Sequence, residues 1–267
     1  MKNLCISRRS MLRMLAGGAA FVTTAPAANA ETARIARLIE AAQALPTIGQ
    51  RIDFISRALV GSHYRGYTLI GGPRKAERFV TRDDVFDCVT YCEAVLAAAR
   101  VRTLDAYAAT LRQIRYHDGA VAWRERNHYF AQWCENNIAN EICAPVAIPD
   151  SETIAKTLSY MPALGARRMS LAAIPRASLL ANTQLLATGD IIGFLSERAR
   201  LDYFHVGFVV VAPDGDLWLR HAARSRGRVL DEPLGRFLSA NRVKAVTVLR
   251  AREPRNVAGQ IGQPYFT

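Results

Sequence analysis

Asp87-Cys88 opens an Ala- and Leu-rich stretch that continues to Arg100, which places a thiol in the first turn of an expected helix. Unpaired backbone N–H groups and the helix dipole favour a thiolate there, so this is a site for a nucleophile. Cys92, one turn further along an apolar helix, is expected to be inert. A cysteine nucleophile needs a base, and the chain has five histidines: His63, His117, His128, His205 and His221. Two of them flank Ala212-Pro213-Asp214-Gly215-Asp216, whose Pro, Asp and Gly suit a type I turn closed by a left-handed glycine, a three-residue hairpin loop. That loop pairs Ala212 with Asp216 and sets Gly207 opposite His221 and His205 opposite Ala223. Side chains alternate with period two, so both imidazoles fall on one sheet face, and Gly207 leaves room beside His221. A two-residue loop would put them on opposite faces. A helix carrying the thiol over this face completes a Cys-His-His trio, one imidazole acting as base and acid, the other orienting it.

Other chemistries fit less well. Cys and His also bind zinc, but no C-x-x-C or H-x-x-H spacing occurs, leaving only a three-ligand catalytic site as a rival. Ser62 and Ser225 lack a G-x-S-x-G context, and Gly71-Gly72-Pro73-Arg74-Lys75 is not a phosphate-binding P-loop. No cofactor is expected.

The elements that must position the trio follow from periodicity. Apolar spacing predicts helices over 31–45, 48–60, 87–100, 104–116 and 126–141, with a Gly-rich connection over 61–74. Runs rich in Val, Ile, Leu and Phe predict strands over 189–196, 203–212, 216–222 and 243–250. Residues 150–188, with Pro162 and Pro175, read as an irregular connection or lid. Helices first and strands later make an α+β domain, a nucleophile-bearing helix on an antiparallel sheet, rather than alternating βαβ units.

The chain has 267 residues, half of them hydrophobic and 22% charged, which excludes a disordered chain or a fibre. Lys2, Arg8, Arg9 and Arg13 precede a mostly apolar run, Met14 to Ala25, and then Ala28-Asn29-Ala30. This is the pattern of an exported leader, and Ser7-Arg8-Arg9-Ser10-Met11-Leu12-Arg13 resembles a twin-arginine signal. Residues 1–30 are thus expected to be removed, leaving 31–267 as one domain in the periplasm. Removal takes four basic residues and no acid, lowering the formal charge from +12 to +8. A basic surface outside the cytoplasm suits an anionic partner; nucleic acid and membrane insertion are not expected, and oligomeric state is open.

Phe86-Asp87-Cys88-Val89-Thr90-Tyr91-Cys92-Glu93, Asp202-Tyr203-Phe204-His205-Val206-Gly207 and Leu219-Arg220-His221-Ala222 resemble the N-acetylmuramoyl-L-alanine amidase-like family of the NlpC-type, papain-like cysteine hydrolases. Gly61-Ser62-His63-Tyr64, Arg126-Asn127-His128-Tyr129-Phe130 and Gly189-Asp190-Ile191-Ile192 extend the likeness over roughly 55–250. The resemblance implies a papain-like core and peptidoglycan fragments (muropeptides) as substrate, cut between the muramic acid lactyl group and L-alanine. It implies Cys88 as nucleophile, His205 as general base and acid, and His221 as its orienting partner. Tyr64 would help hold the oxyanion with the Cys88 N–H, and Arg126 and Asp202 would contact substrate. Cys92 and Ala223 depart from the family pattern without removing a catalytic group. A stem-peptide endopeptidase with the same trio, a catalytically idle wall-binding protein and a lipid acyltransferase are the rivals. Cys134 and Cys143, nine residues apart, are either a disulfide across a helix end or two free thiols.

Overall fold

The computed structural model describes residues 32–255; the exported leader expected at 1–30 lies outside the described residues. In chain order these form α1 (Ala33–Ala42), α2 (Ile48–Ala58), β1 (His63–Tyr64), β2 (Ile70–Gly72), β3 (Lys75–Arg78), β4 (Val85–Phe86), α3 (Cys88–Ala99), α4 (Leu104–Arg115), α5 (Phe130–Ala139), β5 (Cys143–Pro145), β6 (Glu152–Leu158), β7 (Arg167–Pro175), α6 (Arg176–Ala181), β8 (Ile191–Leu195), β9 (Tyr203–Val211), β10 (Leu217–Ala223), β11 (Arg228–Pro233), α7 (Leu234–Ala240) and β12 (Ala245–Ala251). The class is α+β, helices dominating the first half and strands the second.

Local chemistry explains the helix starts. Thr47 and Gln50 form a capping box at α2. At α3 the Asp87 carboxylate accepts the Val89 and Thr90 N–H groups at 3.1 and 2.8 Å, while Thr90 Oγ1 accepts the Asp87 N–H at 2.9 Å, satisfying donors that a helix start leaves free. Every α3 residue from Thr90 to Ala99 is buried, which is why its sequence is apolar all round.

Ten strands form one sheet in the order β4-β1-β11-β10-β9-β8-β12-β7-β6, with β5 also on β12. The β9–β10 hairpin has the expected register: Val211 faces Leu217, the Ala212 N–H donates to Asp216 O at 2.9 Å, and Gly215 adopts φ +89°. One face of the sheet, carrying Val206, Phe208 and Ala222, packs on α1–α5. The other, carrying Phe194, Val209 and Leu219, packs on Phe237 and Leu238 of α7 and Leu179 of α6.

Three expectations need correction. Residues 150–188 are mostly regular: β6 pairs over its whole length with β7, whose end pairs with β12, and α6 follows. Their outward faces carry Thr153, Thr157, Arg168 and Ser170, so the strands lack the Val/Ile/Phe density that marks a buried one. Both β11 and α7 are additional elements, α7 being held by burial of Leu234, Phe237 and Leu238 rather than by length. The helix expected from 126 starts at Phe130 because Arg126 pairs back to Tyr116 in an isolated bridge. Cys134 and Cys143 are free, buried thiols, so the disulfide alternative is not formed. Among the described residues no helix is long and apolar enough to cross a membrane.

Candidate active site

Cys88 is the first residue of α3, and its side chain opens on a cleft of about 870 Å³ whose lining includes Tyr64, Asp87, Arg126, Met161 and Arg224. A separate cavity of about 480 Å³ between α2 and the β8–β12 region holds no nucleophile. The amides of Val206, Cys88 and Val89 favour the Cys88 thiolate, but burial, and then the Asp87 carboxylate, outweigh them and push the thiol up to about 12. Burial thus opposes the thiolate expected from the helix start, and the carboxylate that caps the helix adds to that opposition.

His205 and His221 share one sheet face as their spacing requires. His205 Nε2 and His221 Nδ1 lie 2.5 Å apart, with the rings edge to face at 84°. Phe237 packs against both rings, centroids 5.4 Å away, and Phe194 lies over His205 at 6.1 Å. Enclosure among these aromatics, and then His221, pushes the His205 imidazolium down to about 3; burial also lowers His221, opposed by Glu232. The Glu232 carboxylate stands 2.8 Å from His221 Nε2, close enough for an ion pair, although off the line of a well-formed N–H donor. Glu232 lies on β11, a strand the sequence reading did not include.

The helix does not lie over the imidazoles as expected. It packs on the Val206–Phe208 face, and the rings turn to the Phe237 face. What joins thiol and imidazole is the β9 backbone: the sulfur meets the amide of Val206, one residue past His205. Since His205 Nε2 is taken up by His221, Nδ1 is the nitrogen left to exchange a proton.

A Cβ on Gly207 would stand 2.8 Å from Leu219 Cδ1, 2.9 Å from Arg220 O and 2.9 Å from His221 Cβ. Gly207→Ala should therefore displace His221, destabilise the fold by about 1–3 kcal/mol and lower turnover. Urea denaturation and activity measured together check this; unchanged values for both would show that the imidazole pair tolerates movement.

Of the remaining expected residues, Tyr64 lines the cleft beside Cys88, its phenol raised by burial and then by Cys88. Arg126 also lines it, bonding Glu77 Oε1 at 3.1 Å. Asp202 does not line the cleft. It is buried, and Oδ2 accepts the Ala131 N–H at 2.7 Å, capping α5 from the bend that precedes β9; the expected substrate contact is corrected to a helix cap. His128, its ring tilted against Trp123 with centroids 4.5 Å apart, belongs to the cleft wall. Sequence reasoning missed Glu77 and Arg224, whose only signal was proximity to Gly71 and to the end of β10. Among the described residues no group of three or more His, Cys, Asp or Glu side chains is arranged to hold a metal ion.

The chain is similar to a crystal structure of an N-acetylmuramoyl-L-alanine amidase from Bacteroides uniformis ATCC 8492, 26% identical, with a TM-score of 0.68 over 78% of this chain and 100% of that one. A Legionella pneumophila protein of the DUF1460 family model is similar at TM-score 0.74 and 20% identity, over 85% of this chain and 96% of that one. A putative xylanase from Bacteroides fragilis is similar at TM-score 0.64 and 22% identity, over 73% and 98%; both of these bear on fold alone. No curated protein matches the sequence. The model of the N-acetylmuramoyl-L-alanine amidase-like family matches residues 54–246, a span that contains Cys88, His205 and His221, and the chain belongs to that family.

Proposed function

We propose that the protein is a periplasmic cysteine amidase with a papain-like core that cuts muropeptides between the muramic acid lactyl carbonyl and L-alanine. Membership of the family supports a peptidoglycan hydrolase. The observation that carries the finer reading is the Cys88 sulfur, open to a cleft, at the amide of Val206, the residue that follows His205 of the hydrogen-bonded His205–His221 pair. Export by the twin-arginine route rests on the leader sequence alone.

In this mechanism the Cys88 sulfur attacks the lactyl carbonyl while its proton passes to His205 Nδ1. The tetrahedral oxyanion is held by the Cys88 N–H, which a first-turn position leaves without an intrahelical partner, and by the Tyr64 hydroxyl. His205 then gives the proton to the departing L-alanine nitrogen, leaving a thioester. Water, deprotonated by His205, hydrolyses that thioester and restores the thiol. His221 holds the ring and receives part of the imidazolium charge, with Glu232 behind it. Because the apo hydrogen bond is not made, substrate must draw the thiol and imidazole together, as is common for catalytic contacts.

The test is mass spectrometry of defined muropeptides treated with the protein. An intact stem with a free L-alanine amine supports the amidase; cleavage inside the stem moves the assignment to an endopeptidase; no cleavage by folded, reduced protein overturns both.

The pH profile follows from a neutral resting pair. With His205 down to about 3 and Cys88 up to about 12, kcat/KM should stay within about twofold from pH 6 to 9.5. A descending limb near pH 8 would show a thiolate–imidazolium pair instead. The same shift links to stability. The folded His205 pKa lies below the unfolded value of about 6.5, so the unfolded chain takes up the proton first. That contribution is complete above about pH 6.5 and is lost as pH falls towards 3. His128, lowered to about 4 by burial, adds in the same window, so Tm should fall steadily between pH 6.5 and 4.

A further inference from the structure

We propose that the β2–β3 hairpin exists to hold Arg126 as a carboxylate-reading residue, so that the enzyme selects stems whose second residue carries a free carboxylate. This deepens the amidase reading and rests on it. Glu77, on β3, keeps its side chain only 2% exposed, and its Oε1 accepts from Arg126 Nη1 at 3.1 Å and from the Tyr116 hydroxyl at 2.9 Å. Its Oε2 is buried without a partner. A buried carboxylate with one cation beside it fixes that cation, because moving the guanidinium away would leave the charge uncompensated.

The hairpin is built for this placement. Gly71 adopts φ +148°, and a Cβ there would fall 1.9 Å from Glu77 Oε2, so only glycine admits the carboxylate under the turn. The glycine-rich Gly71-Gly72-Pro73-Arg74-Lys75 segment thus acquires a reason: it is a tight turn over Glu77, and Gly71, Gly72 and Pro73 themselves line the Cys88 cleft.

Among the described residues Arg126 spends one N–H on Glu77 and makes no other side-chain hydrogen bond, although it lines the cleft with its side chain 13% exposed. Its remaining donors belong to a side chain that lines the cavity. A planar fork fits a carboxylate, and charge-assisted hydrogen bonds in a part-buried site are the strong kind. In a muropeptide the γ-linked glutamate that follows L-alanine supplies such a group, and its amidated form replaces it with a neutral carboxamide of nearly the same shape. Arg224 lines the same cleft but is exposed and next to Tyr64, so it is the natural comparison.

The experiment compares kcat and KM for two muramoyl tripeptides, one with the free carboxylate and one amidated. Wild-type, Arg126→Lys, Glu77→Gln and Arg224→Met proteins are each checked by circular dichroism. Binding of both substrates to Cys88→Ala, measured calorimetrically, separates recognition from turnover. Wild-type protein should prefer the free carboxylate by roughly 10- to 100-fold, mainly in KM, as expected for hydrogen bonds to a charged group. Arg126→Lys and Glu77→Gln should reduce that ratio to a few-fold while Arg224→Met keeps it. Glu77→Gln retains the buried shape, so its folding tests Arg126 placement even if Arg126→Lys does not fold. Equal use of the two substrates overturns the inference alone. So does a preference that survives in both Arg126→Lys and Glu77→Gln, or one lost only in Arg224→Met. No cleavage of either substrate overturns the amidase reading and this inference with it.

Discussion

Cys88→Ala will release no stem peptide from a muropeptide that wild-type protein cleaves, a drop of at least about 10⁴-fold in kcat/KM. The size of the effect follows from the role: without sulfur no thioester forms, and the oxyanion donors have no tetrahedral centre to stabilise. The fold should survive, since alanine is the best helix former and the Asp87 cap bonds backbone N–H groups of Val89 and Thr90 rather than the thiol. Melting temperature and the far-ultraviolet spectrum should therefore match wild type. Cys92→Ala is the control on the same helix. Cys92 is fully buried, its thiol raised well above the ordinary range chiefly by burial, so that variant should lose some stability and keep its turnover. Residual Cys88→Ala activity above about one hundredth of wild type would remove Cys88 from the nucleophile's place.

Why these residues and not others could be read from the chain comes down to distance along it. The His205–His221 pair was legible because a five-residue turn, Ala212 to Asp216, sets the parity of both strands, and parity alone decides the face. The Asp87 cap was legible because its partners lie two and three residues away. The same cap carried a hidden consequence: its charge, added to burial, reverses the thiolate expected from position alone. Asp202 shows the opposite limit. The family resemblance implied a substrate contact for it, yet its carboxylate serves a helix 71 residues earlier, and nothing local marks that. Glu77 and Arg126, 49 residues apart, are likewise joined only by the fold. The β6–β7 hairpin escaped because an edge strand with one solvated face needs polar residues at alternate positions, and its composition then resembles a loop. Yet its tip, Met161 to Ala163, lines the cleft, so the region read as a lid does border the site.

The largest stability effect should come from Glu93 and Arg115. Arg115 Nε donates to Glu93 Oε2 at 2.7 Å, with the side chains only 4% and 3% exposed, and Nη1 donates to the Val80 carbonyl at 2.6 Å. Burial holds the Glu93 carboxyl above its ordinary range, against the pull of Arg115, so desolvation consumes much of the pair's attraction. Single and double replacement should then behave very differently. Glu93→Leu strands a guanidinium in the interior and should cost about 3–5 kcal/mol, as should Arg115→Met for the opposite charge. Glu93→Leu combined with Arg115→Met removes both charges and should recover most of the loss, ending within about 1–2 kcal/mol of wild type, the Val80 carbonyl accounting for the remainder. Urea denaturation of the four proteins gives the coupling directly. The result bears on the site because both side chains line the Cys88 cleft, and Glu93 is on the helix that carries the nucleophile. A large coupling means that the ionic floor of the cleft is nearly neutral in net stability and is held together by mutual compensation. Additive losses would mean that each charge is held by its own surroundings and that the floor contributes stability outright.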